Sequence, residues 1–148
     1  MSVIHNYSLY AIPVFSLLAL APHAYVVATI TGKIGFDNAA PRGNLQRLKD
    51  KDSRLSARLQ RAHAASDNGY ENFPIIASAL ILGNAARLDN SLLNNFAATI
   101  IGLRVAYVAI YINHETSAVG WIRTAIYFAQ YFPALWLMTK AAQKFALE

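Results

Sequence analysis

The chain has 148 residues, of which 55% are hydrophobic and only 14% charged. Soluble domains carry roughly a quarter charged residues, so this composition tilts toward a membrane protein. There is no cysteine, which excludes structural disulfides, thiolate metal sites and a catalytic cysteine.

A chain of this length normally forms one domain, expected here over residues 1–148. A hydrocarbon core is crossed by about 20 apolar residues in helical form. The first such run is about Ser8 to Ile30, with Pro13 and Pro22 inside it. No basic segment precedes it and it is too long for a typical signal core, so a retained anchor helix is expected. The stretch from Thr31 to Arg61 follows, with eight of the thirteen Lys and Arg and only three acidic residues. The positive-inside bias places this loop in the cytoplasm and both termini on the opposite side. The net charge of +5 raises nucleic acid as a partner. The basic cluster adjoins apolar spans, however, so an anionic membrane surface or an acidic ligand is the better reading, and no nucleic acid is expected.

The second span is about 69–86, continuing a helix that begins in the basic loop; the third is about 92–113 and the fourth about 117–138, with Pro133 near its far end. The links "RLDNS" and "NHET" are short, which makes their flanking helices antiparallel neighbours. The expected fold is an all-α, multi-pass membrane protein built as a four-helix bundle. No inverted repeat or acid-lined pore marks a transporter.

Ionisable residues inside such spans are costly and mark functional positions. Counted from Asp89 in the second link, Glu71 lies 18 residues before and Arg104 15 after. Their depths therefore match within about one helical turn, and an ion pair with Tyr107 beside it is expected. Arg61, Asn68 and Glu71 share one helix face; so do Arg104, Tyr107 and Tyr111; Arg123 and Tyr127 are four apart. Arginine, asparagine and tyrosine groups thus converge at the cytoplasmic mouth of the bundle. Tyr7, Tyr10 and Tyr131 read as interface anchors. His5, His23, His63 and His114 have no metal-ligand spacing, so no metal is expected.

"NGYENFP" (Asn68 to Pro74), preceded by "RAHAA", resembles the second-helix signature of the membrane-associated proteins in eicosanoid and glutathione metabolism, the MAPEG family. "RVAYVAIY" (Arg104 to Tyr111) is similar to that family's third-helix Arg-x-x-Tyr-x-x-x-Tyr. "RTAIY" (Arg123 to Tyr127) resembles the fourth-helix Arg-Ser-x-x-Tyr of its prostaglandin E synthase branch, with Thr124 in the serine place. The resemblance implies a homotrimer, in an endoplasmic-reticulum-type membrane if the source is a eukaryote, with glutathione bound at subunit interfaces. It implies a transferase or peroxidase acting on lipophilic electrophiles or lipid hydroperoxides. Arg123 would activate the thiol. Arg61, Asn68, Glu71, Arg104, Tyr107, Tyr111 and Tyr127 are the expected glutathione-binding set. Family members carry an arginine four residues before the asparagine; that position is Ala64 here, and Arg61 is expected to substitute. The alternative is a non-catalytic membrane partner of the same fold that has lost glutathione binding.

Overall fold

The computed structural model describes residues 4–147; residues 1–3 and 148, the ends of the expected domain, lie outside them. Five α-helices follow a short 3-10 turn at Ser8–Tyr10: α1 (Ala11–Ile34), α2 (Asn44–Lys49), α3 (Ser53–Ala85), α4 (Asn90–Asn113) and α5 (Ser117–Phe145). No strand occurs among the described residues.

The helix boundaries have local causes. Pro13 sits in the first turn of α1, where a backbone N–H has no helical partner to lose. Gly35 ends α1 at φ 73° with its N–H on the carbonyl of Thr31, a backbone state that side chains disfavour. Asp52 caps α3 and Asp89 caps α4, each carboxylate accepting the N–H three residues on at 2.9 Å. At the end of α3 the N–H of Leu88 reaches the carbonyl of Gly83 and that of Arg87 reaches Asn84. That pattern needs a left-handed residue, and Arg87 supplies it at φ 51°.

α3 is the central element, packing against α1, α2, α4 and α5. Its buried positions recur every three or four residues from Ser56 to Gly83, and many are small: Ala62, Ala65, Ser66, Gly69, Ala79, Gly83. Small residues let helix backbones approach closely where lipid gives no hydrophobic drive between helices. One apolar cluster (Phe15, Ile76, Leu80, Leu93, Ile100, Leu137) fills the end nearest the termini. A second (Val26, Ile30, Leu48, Leu59, Ala62) fills the end nearest the basic loop. Between them lies a polar layer. The Ser66 hydroxyl donates to the carbonyl of Ala19 at 2.7 Å, close to where Pro22 interrupts the α1 ladder. At the terminal end, Asn84 and Asn94 tie residues 5–8 across the helix tips.

The sequence pattern did not anticipate α2. It forms because the loop folds back on α1 and α3: Leu48 is buried, the buried Asn44 bonds both N–H and carbonyl of Asp37, and Ser56 donates to the carbonyl of Leu45. Among the described residues two helices are long and apolar enough by composition to cross a membrane, Ser8–Ile34 and Asn90–Asn113. α3 and α5 carry more polar residues, several turned inward, including the fully buried Asn72 and Gln130.

Candidate functional site

Near the loop-side end of the bundle, α3, α4 and α5 enclose a cleft of about 260 Å³ lined by Asn68, Tyr107, Tyr111, Gly120, Arg123, Thr124 and Tyr127. Antiparallel packing of α3 and α4 brings Asn68 level with Tyr107, with Tyr111 one turn nearer the basic loop. Asn68 donates from Nδ2 to the Tyr107 hydroxyl at 2.8 Å. The rings of Tyr107 and Tyr111 are 5.4 Å apart. Arg123, two turns into α5, lays its guanidinium 4.3 Å over the Tyr111 ring. That contact fixes the orientation of a long cation without consuming its donors. Arg123 Nε is buried and has no hydrogen-bond partner among the described residues. A buried donor of a charged group without a partner is a place for an anion or strong acceptor. Gly120 lies one turn earlier; a Cβ there would sit 3.4 Å from Arg123 Nη2.

Five expected site residues therefore line one cleft: Asn68, Tyr107, Tyr111, Arg123 and Tyr127. The other three lie elsewhere. Glu71 is exposed one turn beyond Asn68 and does not line the cleft. Arg104 is fully buried behind it. Arg61 lies in a separate cleft, paired with Glu115 at 3.1 Å and donating from Nε to the carbonyl of Ile112 at 3.3 Å.

The expected Glu71–Arg104 ion pair is not formed. The depth match holds, because Arg104 reaches α3 at Ala65 and Gly69. The azimuth does not: Glu71 is two residues from Gly69, about 200° around the helix. Arg104 instead donates to the carbonyl of Ala65 at 2.6 Å. The faces of Phe15 and Tyr107 lie 5.4 and 5.1 Å from its guanidinium carbon. Its place on α3 exists because residue 69 has no side chain. Arg104 therefore acts as a prop beneath Tyr107, which in turn holds Asn68.

Sequence reasoning missed Gly69, Gly120 and Glu115. A glycine inside a long helix is a weak signal. Gly69 and Gly120 each face an arginine that must come close. Glu115 stands in the link before α5, where nothing in the periodicity singles it out.

A model of the MAPEG family matches residues 9–143, nearly the whole chain. No curated protein and no solved structure matches it. The matched region contains Asn90–Asn113, all of Ser8–Ile34 but its first residue, and every residue of the cleft. The chain thus belongs to the MAPEG family, whose members are membrane proteins associated with glutathione and eicosanoid metabolism.

Proposed function

We propose that the protein is a glutathione-dependent transferase or peroxidase acting on lipophilic electrophiles or lipid hydroperoxides, with Arg123 as the thiol-activating residue. The observation that carries this reading is the unsatisfied Arg123 Nε in a cleft shared with Asn68 and three tyrosines. Glutathione, when bound, supplies a thiol that becomes nucleophilic on losing its proton. Such a thiol has a pKa of about 8.5, so only a few per cent ionises at pH 7. Arg123 cannot lose its own proton and favours the thiolate beside it. Tyr111 keeps that charge in place. Asn68 and the phenols of Tyr107 and Tyr127 offer hydrogen bonds to a peptide backbone, and Glu71, one turn further, an anion for its amine.

The cleft of one chain, about 260 Å³, is smaller than the roughly 300–1,000 Å³ of typical ligand pockets. That supports a site completed by a neighbouring copy, in a homotrimer whose chains each form a single domain over 1–148. In this reading α1, α3, α4 and α5 all span the bilayer. Polar residues of α3 and α5 face other helices, and the basic loop faces the cytoplasm; if the source is a eukaryote, the membrane is of the endoplasmic-reticulum type.

One observation favours the alternative, a non-catalytic partner of the same fold. With Ala64 in the usual arginine place, the nearest candidate clamp, Arg61, is held by Glu115 outside the cleft. Calorimetric titration of the purified protein in detergent with glutathione separates the two. The enzyme reading expects saturable binding that Asn68→Ala and Arg123→Leu weaken. Absence of binding at millimolar glutathione leaves the partner reading.

A further inference from the structure

The second cleft is built from different residues. About 360 Å³ in volume, it is bounded on one side by Arg54, Arg58 and Arg61 of α3 and on the other by Ile112, Asn113 and Glu115. None of its lining residues lines the Asn68–Arg123 cleft. The three arginines are four and three residues apart, within about 60° of one helix face.

Their commitments differ. Arg61 is paired with Glu115. Arg58 donates to the Asn113 side chain at 2.8 Å and lies 6.0 Å over the Tyr25 ring. Arg54 makes no hydrogen bond or ion pair among the described residues, and both Arg54 and Arg58 are exposed. The other carboxylate, Asp52, already accepts the Leu55 N–H as a helix cap. Two guanidiniums with free donors therefore face one opening. Guanidinium forks match phosphate oxygens bidentately. A phosphomonoester carries between about −1.5 and −2 charges at neutral pH, enough to engage both.

The height of the cleft narrows the ligand. α4, one of the two apolar helices, is about 36 Å long for its 24 residues. The hydrocarbon layer is about 30 Å thick, so the end of α4 emerges at headgroup level. Arg58 bonds to Asn113, the last residue of α4, and shares that level. Arg54 stands one turn, about 6 Å, further out. A diester phosphate at the base of a headgroup meets Arg58 and Arg61 but not Arg54. A monoester phosphate carried outward on a cyclic polyol headgroup such as inositol meets Arg54 and Arg58 together.

We propose that the Arg54–Arg58–Arg61 cleft binds the phosphomonoester of a phosphorylated inositol headgroup on a membrane lipid. The test uses the full-length protein in phosphatidylcholine nanodiscs, with lipid retention read by native mass spectrometry. Phosphatidylinositol monophosphate is titrated against phosphatidylinositol, which differs only in the monoester. The monophosphate is expected to bind selectively. Arg54→Gln and Arg58→Gln should each weaken it about fivefold, at about 1 kcal/mol per basic residue near a membrane surface. Arg42→Gln removes the same charge from the same loop outside the cleft and should leave selectivity intact. Equal retention of the two lipids overturns the proposal, as does an equal effect of Arg42→Gln. Soluble inositol bisphosphate binding as tightly as the lipid overturns the membrane source and assigns the site to a free phosphate ester.

Discussion

Gly69→Ala adds one methyl group at the crossing of α1, α3 and α4. On propensity alone it should help, since alanine is favoured over glycine inside a helix by about 1 kcal/mol. The surroundings reverse the sign. The added Cβ would lie 2.7 Å from the Cβ of Ala19 and 3.0 Å from Cζ of Arg104. Ala19 has no rotamer to change. Arg104 is fully buried between Phe15 and Tyr107 and has nowhere to retreat. Overpacking of this kind costs about 1–3 kcal/mol. Displacing Arg104 from the Ala65 carbonyl costs about 1.5–3 kcal/mol more, as a hydrogen bond to a charged group. After the propensity gain the net loss is about 1.5–5 kcal/mol, or a fall in Tm of roughly 5–15 °C for a chain of this size. Gly32→Ala is the control, because its Cβ meets nothing within 4 Å. It should melt at or slightly above the unaltered protein. Thermal melts of both variants in one detergent decide the matter. A Gly69→Ala protein that melts as high as the Gly32→Ala protein would refute the packing argument, and with it the placement of Arg104.

Glu71→Gln and Arg104→Met, combined in a double-mutant cycle, should be additive within about 0.5 kcal/mol; coupling of several kcal/mol in denaturant melts would restore the ion pair. Arg87→Gly should stabilise by about 0.5 kcal/mol, because a left-handed side-chain residue costs about 1–2 kcal/mol and the glycine's extra unfolded-state freedom returns part of that. The same melts test it, and a loss of stability would mean the Arg87 side chain itself contributes. Asp89 is held below the ordinary carboxylate range by the Leu92 N–H first and the Ser91 hydroxyl second. With the folded-state pKa depressed, its stabilisation is present above the unfolded value near 3.8 and disappears as pH falls through the folded one. Asp89→Asn should therefore flatten the acid limb of a pH–stability curve and leave the curve above pH 5 parallel to the unaltered one.

The long helices were legible because apolar runs of span length and short polar links are local signals. The depth of Arg104 was legible too, since residue counting from Asp89 fixes height in a hairpin. Its partner was not. Height says nothing about azimuth, and a 200° difference sends Arg104 to the Ala65 carbonyl instead of Glu71. Counting also placed Arg61 on the Asn68 face, yet α3 is long enough that Arg61 emerges beside the end of α4, where Glu115 and the Ile112 carbonyl take it. The tyrosines were easier. Tyr107 and Tyr111, four apart on α4, could only turn toward one neighbour, and the cleft forms where α5 closes over them. α2 escaped notice because six residues carry too little periodicity to separate from a loop, and its position depends on Asn44 bonding Asp37.

The central claim is that Arg123 places a fixed positive charge beside the sulfur of bound glutathione. Thiolate absorbs in the near ultraviolet, and the chain contributes no thiol of its own, so the pKa of the bound thiol can be read by titration. The account predicts a value below that of free glutathione in the unaltered protein. Arg123→Leu should return it toward the free value and slow conjugation about tenfold for each unit lost. A bound thiol that titrates like free glutathione, or one whose depressed pKa survives Arg123→Leu, would contradict it.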